Sequence, residues 1–219
     1  MISRLHYITQ DLPDFSHAEL AEFACKSGAD WVQLRVKNKS FEEWLKIAEE
    51  TKSFCKKFGV KLIINDNVQI AKEISADGIH LGKDDMNPKE ARKILGKNFI
   101  IGGSTNTAGD VRKRIEEGCD YIGVGPFRYT STKEKINPVL GLEGIKGIAE
   151  EFGKQIPIIA IGGIQLEDIE SLMQTGIHGL AVSSAINLQQ DKVEMIKQFV
   201  SSLQKEITKN ITLSDIEKK

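Results

Sequence analysis

Short apolar runs of strand length alternate with amphipathic segments of helical length along the 219 residues of this chain, and no other feature restricts its fold as strongly. Most of the runs are rich in Ile and Val and are too short for helices. Between two of them, Phe41–Phe58 repeats apolar residues at spacings of three and four, which predicts a helix that buries one face. The alternation predicts eight strands, over residues 2–9, 31–36, 61–66, 78–82, 99–104, 121–126, 157–163 and 179–185.

Eight β-then-α units in about 220 residues lie near the lower size limit of a (β/α)8 barrel. A doubly wound open sheet would alternate in the same way. The count of eight favours closure, and so do the polar residues at the carboxyl ends of the strands, because a barrel brings those ends to one mouth. No linker or change of composition divides the chain. The sequence therefore predicts an α/β fold, a single-domain (β/α)8 TIM barrel over residues 1–210, followed by a frayed polar tail over residues 211–219.

The charge balance limits the classes of partner. Thirty Lys and Arg nearly cancel 31 Asp and Glu, so the net charge of −1 argues against nucleic acid or an anionic membrane as the main partner. The amino terminus lacks a signal-peptide pattern, and no stretch reaches the ~20 apolar residues of a membrane helix. Cys25, Cys55 and Cys119 are scattered and have no CxxC spacing, which argues against a disulfide framework or a zinc site. We expect a cytoplasmic protein with small-molecule partners, and the sequence leaves open whether it forms a homo-oligomer.

Three polar side chains fall on one face of the second predicted strand. Gln33, Arg35 and Lys37 alternate with apolar residues, and a strand places alternate side chains on opposite faces. An edge strand with a solvated polar face would show the same pattern. In a barrel, however, the apolar face meets the helices, and an inward Arg and Lys near the mouth need an anion to neutralise them. We therefore favour an anion-binding role for Arg35 and Lys37.

Carboxylates follow two consecutive predicted strands. Asp66 ends the third strand, and Asp84 and Asp85 follow the fourth. A helix N-cap would account for Asp66, and a solvated turn would account for the other two. Neighbouring barrel strands would nevertheless place Asp66 near one of the later pair, and Mg2+ typically uses one or two carboxylates together with phosphate oxygens. The residues leave open whether Asp84 or Asp85 would be the second ligand.

Hydroxyls and glycines mark the remaining strand ends. Ser104 follows the fifth strand, where its role could be capping alone. A polar loop of about fifteen residues follows the sixth strand, and loops of that length are usually functional. Phosphate groups in barrels often bind after strands seven and eight, on backbone N–H groups. The residues that could bind phosphate are Thr130, Ser131, Thr132 and Lys133 in the loop after the sixth strand, Gly163 at the end of the seventh, and Ser183 and Ser184 at the end of the eighth.

The chain resembles the thiamine phosphate synthases over nearly its whole length. Several of the matching motifs are specific in combination, notably QLRVK at 33–37 and TSTK at 130–133. In chain order they are QLRVK (33–37), NDN (65–67), GIHLGKDD (78–85), GGST (102–105), DYIGVGPF (120–127), TSTK (130–133), IGGI (161–164) and VSSAI (182–186).

This resemblance implies an Mg2+-dependent transferase. The enzyme would couple 4-amino-2-methyl-5-hydroxymethylpyrimidine diphosphate with 4-methyl-5-(2-phosphoethyl)thiazole, giving thiamine phosphate and pyrophosphate. The resemblance assigns Asp66 and Asp85 to Mg2+. It assigns the pyrimidine diphosphate to Gln33, Leu34, Arg35, Val36, Lys37, Asn65, Ser104 and Lys133. It assigns the thiazole phosphate to Thr130, Ser131, Thr132, Gly163, Ser183 and Ser184. Among these residues, we expect catalytic roles for Arg35, Lys37, Ser104 and Lys133.

Two alternatives accompany this assignment. A thiazole tautomerase of the same barrel family would lack the metal and diphosphate residues and would carry a histidine near the position of Pro126. A non-catalytic barrel that binds a phosphorylated metabolite would need only the phosphate turns.

One residue departs from the family pattern, because Asn106 stands where a histidine is frequent, and an asparagine cannot titrate near neutrality.

Overall fold

The computed structural model describes residues 1–129 and 138–216, with side chains through residue 209. Within these residues, eight parallel strands close into a barrel in sequence order, and β1 pairs with β8. This closure confirms the predicted single-domain (β/α)8 barrel over the open doubly wound sheet. The strands are β1 Leu5–Ile8, β2 Trp31–Leu34, β3 Lys61–Asn65, β4 Gly78–Leu81, β5 Ile100–Thr105, β6 Tyr121–Val124, β7 Ile158–Ile161 and β8 Gly179–Val182.

Helices follow the strands on the outside of the barrel. They are α1 His17–Lys26, α2 Phe41–Phe58, α3 Val68–Glu73, α4 Pro88–Leu95, α5 Ala108–Glu116, α6 Gly141–Phe152, α7 Ile169–Gln174, α8 Ser184–Asn187 and α9 Lys192–Ile216, and a short 3-10 turn at Leu166–Asp168 precedes α7. None of the described helices is long and apolar enough to cross a membrane.

The eight predicted strands are all present, but most are shorter than the apolar runs suggested. The seventh shows the physical reason most clearly. It was expected to reach residue 163 and ends at Ile161, because Gly162 and Gly163 adopt φ angles of 105° and 67°. Such left-handed conformations break the strand ladder, and glycine adopts them without strain. The apolar run therefore marks the strand, and the turn glycines mark its end.

Local signals place the helix starts. Ser16, Ser40 and Thr107 each form a capping box at the start of α1, α2 and α5, in which the cap side chain and the third helical residue bond to each other's backbone. Asn67 and Asn87 cap α3 and α4 through their side chains. These caps fix where each helix leaves the loop at the carboxyl end of the preceding strand.

The barrel interior is filled by side chains and forms the floor beneath its mouth. Trp31 and Tyr121 lie edge to face with ring centroids 5.5 Å apart, and His6 stacks on Trp31 at 4.2 Å. Gly102 leaves room for this cluster, since a Cβ there would lie 2.1 Å from the Tyr121 ring. Burial, with a smaller effect of nearby His80, lowers the pKa of His6 well below its usual value, so this floor is uncharged near neutrality.

The carboxyl-terminal helix extends into the region expected to be a tail. Helix α9 continues to Ile216, so residues 211–216 are helical, while residues 217–219 lie outside the described part of the chain. The division at residue 210 between a barrel and a dispensable tail stays a prediction.

Candidate active site

Four polar side chains from neighbouring strands form two hydrogen-bonded pairs at the carboxyl end of the barrel. Gln33 of β2 donates from Nε2 to Oδ1 of Asn65 on β3 at 2.7 Å. His80 of β4 bonds through Nε2 to the Ser104 hydroxyl of β5 at 3.0 Å. The structure thus brings together three of the predicted residues. Because β2 lies between β1 and β3 and Gln33 is buried, the alternative of a solvated edge strand was wrong.

His80 is a member of this group that the sequence reasoning did not assign. Its Nδ1 bonds to the Tyr121 hydroxyl at 3.0 Å, so the imidazole links the aromatic floor to Ser104. The period of two from Gly78 in β4 could have placed it on the inward face. Ser104 does not cap the next helix, since Thr107 has that role.

The side chains after Gln33 divide between the mouth and the core. Leu34 and Val36 are buried in the apolar layer between barrel and helices, so a ligand at the mouth could reach only their backbone atoms. Arg35 and Lys37 are half-buried and lie beyond the end of β2. The Arg35 backbone N–H donates to the Thr9 hydroxyl at 3.1 Å, which fixes where the chain leaves the strand.

A short hydrogen-bonded chain supports this exit from β2. Thr9 contacts Nδ1 of His17 at 2.8 Å, and Nε2 of the same imidazole contacts Asp11 at 3.2 Å. Burial lowers the pKa of His17, although Asp11 opposes the shift. A neutral His17 that donates to Asp11 accepts the Thr9 proton, and Thr9 then accepts from Arg35. All three groups have consistent donor and acceptor roles in this arrangement.

Asp66 lies at the carboxyl end of β3 in a left-handed backbone conformation with φ of 65°. Its N–H donates to the carbonyl of His80 at 2.9 Å. The expected alternative, an N-cap, was wrong, because the cap of α3 is the next residue, Asn67. A non-glycine residue in this region is uncommon and often occurs at a functional site.

Asp85 lies in the loop 82–87 after β4. Its Oδ2 accepts the Gly82 N–H at 2.6 Å, and the side chain is half-buried, whereas Asp84 is exposed. The backbone groups that anchor Asp66 and Asp85 are the His80 carbonyl at the end of β4 and the Gly82 N–H just after it, with only Leu81 between them. Both carboxylates thus lie at the same end of neighbouring strands.

The chemistry of these two carboxylates fits a hard cation. Each carboxylate has about four lone-pair positions, so the bond from Gly82 leaves Asp85 able to coordinate a cation. No group of three or more His, Cys, Asp or Glu side chains among the described residues could hold a metal ion by itself. A cation between Asp66 and Asp85 would therefore complete its shell with water and phosphate oxygens, as Mg2+ commonly does.

The turn after β7 is joined to the chain that leaves β6. The N–H groups of Phe127 and Arg128 donate to the carbonyls of Ile161 and Gly162 at 2.8 and 2.9 Å. Gly163 is required here for its positive φ and because a Cβ would lie 2.9 Å from Cβ of Arg128. The predicted residues Thr130, Ser131, Thr132 and Lys133 lie outside the described residues.

Asn106 has a structural role at the ends of this same loop. It is buried, and its Nδ2 donates to the carbonyl of Gly125 at 2.8 Å and to that of Pro138 at 3.0 Å. It therefore joins the chain before and after residues 130–137. An amide makes both of these bonds without titrating.

Ser183 and Ser184 lie half-buried where β8 leads into α8. The Ser183 hydroxyl accepts from Asn187 Nδ2 at 3.2 Å, and the same amide donates to the Ile8 carbonyl at 2.9 Å and accepts from the Tyr7 hydroxyl at 2.5 Å. A hydroxyl that accepts one bond still has its own proton to donate. Ser183 is thus oriented by buried neighbours with its donor available to an anion.

Known proteins similar to this chain share one description. A family model described as thiamine monophosphate synthase matches residues 5–186. The thiamine-phosphate synthase of Flavobacterium johnsoniae is 45% identical over 206 residues, covering 93% of this chain and 97% of the relative. That of Bacteroides fragilis is 46% identical over 200 residues, covering 90% and 98%.

A solved structure extends the agreement to the fold. The thiamine phosphate pyrophosphorylase from Pyrococcus furiosus superimposes with a TM-score of 0.84 at 28% identity, covering 93% of this chain and 96% of that one. The residues matched by the family model, 5–186, include the strand ends that carry the two polar pairs and the two carboxylates. This chain is therefore a transferase that belongs to the thiamine monophosphate synthase family.

Proposed function

We propose that the protein joins 4-amino-2-methyl-5-hydroxymethylpyrimidine diphosphate to 4-methyl-5-(2-phosphoethyl)thiazole, releasing pyrophosphate and forming thiamine phosphate. The observation that carries this proposal is the meeting of two kinds of group at one barrel mouth. The pairs Gln33–Asn65 and His80–Ser104 lie beside Asp66 and the loop of Asp85. A substrate with an aminopyrimidine and a diphosphate requires both kinds of group.

The neutral polar side chains suit the aminopyrimidine ring. Gln33 and Asn65 each have an amide with donors and an acceptor, and Ser104 has a hydroxyl. An aminopyrimidine edge presents ring-nitrogen acceptors next to an exocyclic donor, which such groups can match. The aromatic floor of Trp31 and Tyr121 lies beneath them and excludes water from below.

The charged side chains suit the diphosphate. Arg35 and Lys37 follow β2 on the same end of the barrel, and we assign Lys133 to this group from its sequence motif. Asp66 and Asp85 would hold Mg2+, which when bound neutralises charge on the diphosphate oxygens. Arg35, Lys37 and Lys133 would stabilise the negative charge that develops as the bond from the pyrimidine methylene carbon to oxygen breaks.

The second substrate is assigned to the far side of the mouth. The Gly163 turn, Ser183 and Ser184 would bind its phosphate through N–H and hydroxyl donors, together with Thr130, Ser131 and Thr132. The electron-rich aminopyrimidine can stabilise a cation at its methylene carbon, so we propose a dissociative displacement. The protein contributes charge stabilisation and holds the thiazole nitrogen in line to capture that carbon, without a covalent enzyme intermediate.

The test is product formation from purified protein. Pyrophosphate release should require both substrates and Mg2+, stop in EDTA and return when Mg2+ is restored. A tautomerase would instead isomerise the carboxylated thiazole phosphate with the pyrimidine omitted and without metal. Isomerisation that survives Arg35→Ala, with no coupled product, would reject the proposal.

The setting is proposed from the cysteines. Cys25, Cys55 and Cys119 are free thiols, and burial raises the pKa of the Cys119 thiol to about 12. We propose that the protein works in a reducing cytoplasm on small-molecule substrates, because its three cysteines are odd in number and have no CxxC spacing.

A further inference from the structure

Three residues on one face of α5 contact the loop 82–87, which carries Asp85. Asp110, Arg114 and Glu117 are spaced by four and three residues, so they share one side of the helix and its carboxyl cap. Asp110 pairs with Lys83 Nζ at 2.5 Å. Arg114 Nη2 donates to the Gly82 carbonyl at 2.6 Å. Glu117 accepts from Asn87 Nδ2 at 2.8 Å.

These contacts lie at the beginning and the end of the loop. Gly82 is its first residue, and Asn87 is its last and also caps α4, accepting the Lys89 N–H at 2.9 Å. Between them, Asp85 bonds back to the Gly82 N–H at 2.6 Å. The Gly82 peptides thus connect Arg114 on one side to the Asp85 carboxylate on the other.

The arm of Arg114 reaches Gly82 across β5 at Gly103. A Cβ on Gly103 would lie 2.9 Å from Arg114 Cδ, so the glycine provides the space for the side chain. Arg114 also pairs with Glu117 at 2.9 Å, and each side chain is only 7% exposed. Ion pairs this deeply buried are commonly no more stabilising than apolar residues of similar volume, so stability alone does not account for this pair.

We propose that Asp110, Arg114 and Glu117 are positioning residues that set the geometry of the divalent-cation site through the loop 82–87. The inference rests on the proposed assignment of Asp66 and Asp85 to the cation. A carboxylate on an unsupported loop would sample many positions, whereas this one is held relative to β4 and β5. Removing a group that orients a metal-binding side chain through hydrogen bonds typically lowers the affinity for the metal by 10–100-fold.

The experiment measures Mn2+ binding to the intact protein by electron paramagnetic resonance, with melting temperature recorded in parallel. Three variants each weaken one contact, or tether, between α5 and the loop 82–87. These tether variants are Glu117→Gln, Arg114→Lys and Lys83→Met. The matched control is Arg112→Gln on the same helix, whose partner Glu151 is exposed. We expect each tether variant to weaken Mn2+ binding about 10-fold and the control to bind like the wild type. The Mg2+ concentration for half-maximal coupling should rise in proportion, while KM for the thiazole phosphate stays unchanged.

Asp85→Asn tests whether the measured Mn2+ binds at the site of Asp85. If Asp85→Asn loses Mn2+ and the tether variants bind it like the wild type, the positioning role is rejected and the proposed function stands. If Asp85→Asn binds Mn2+ normally, the cation assignment itself falls, and the positioning role falls with it. Should Arg114→Lys fail to fold, Lys83→Met decides the matter, because it removes the exposed tether and leaves the buried Arg114–Glu117 pair intact.

Discussion

Asp168→Asn tests how the turn after β7 is held at the mouth. The Arg128 guanidinium bonds to both oxygens of Asp168, with Nη2 and Oδ1 2.5 Å apart, and these bonds raise the pKa of Arg128. Asp168 also accepts the Gln165 N–H at 2.8 Å. Replacement by Asn retains the volume and an acceptor for Gln165. It turns the other oxygen into an NH2 group that faces a guanidinium donor.

The magnitude follows from the unequal exposure of the two partners. A hydrogen bond to a charged group contributes about 1.5–3 kcal/mol, and two are disturbed here. The Asp168 side chain is 7% exposed, but Arg128 is 47% exposed and can turn to water, which reduces the loss. We therefore expect Asp168→Asn to cost about 2 kcal/mol, or about 4–8 °C in Tm for a domain of this length.

Thermal unfolding of Asp168→Asn, measured in parallel with that of Arg112→Gln, separates the loss of a partly buried ion pair from the loss of an exposed one. Arg112 and Glu151 also pair closely, but they are 58% and 45% exposed, and such pairs contribute about 0–1 kcal/mol. Because Arg128 also donates its N–H to the Gly162 carbonyl, Asp168→Asn should raise KM for the thiazole phosphate more than it lowers kcat. A melting temperature within about 2 °C of the Arg112→Gln control would refute this reasoning.

Four further predictions concern the metal, the leaving group, acid stability and the chain end. Asp66→Asn and Asp85→Asn should keep the wild-type melting temperature and lose metal-dependent coupling; full turnover in EDTA would contradict this. Lys133→Ala should lower kcat by about 10²-fold, as for other removed transition-state donors, and a change confined to KM for the thiazole phosphate would move Lys133 to the second phosphate. Burial alone would raise the pKa of Asp110, but bonds from Lys83 and two backbone N–H groups lower it from 3.8 to about 2. Its stabilisation should therefore be present above about pH 4 and vanish toward pH 2, and Asp110→Asn should flatten the acid dependence of Tm in that window. Truncation after residue 210 should leave soluble, active protein, whereas aggregation on truncation would show that the end of α9 packs.

The strand count and the closed barrel could be predicted because both depend on local patterns. Apolar runs of strand length are buried on one face by helices and on the other by the barrel interior, and the sequence contains eight of them. The strand ends could not be placed as well, because a run such as 157–163 gives no sign that its glycines turn to positive φ. The sequence also could not decide whether Asp66 or Asn67 caps α3, because both residue types cap helices well.

The candidate site was predictable where side chains alternate along a strand. A period of two placed Gln33 inward, and the order of neighbouring strands brought it to Asn65. His80 was missed because a lone histidine in an apolar strand is usually a core residue, although the same period of two could have placed it inward. Its contacts with Ser104 and Tyr121 show that it belongs to the site. The contacts of α5 with the loop 82–87 join residues about thirty apart in sequence, so no local pattern could reveal them.

The polar groups at the mouth are oriented by one another and by the barrel beneath them. Ser104 is held by His80, His80 by Tyr121, and Tyr121 packs against the buried Trp31. A substrate that binds Ser104 therefore meets a hydroxyl whose direction is set by a rigid apolar floor rather than by a mobile loop. Sites built on strands in this way hold their geometry more closely than sites on loops. The same dependence explains why the loop 82–87, which has no such floor, is tied to a helix instead.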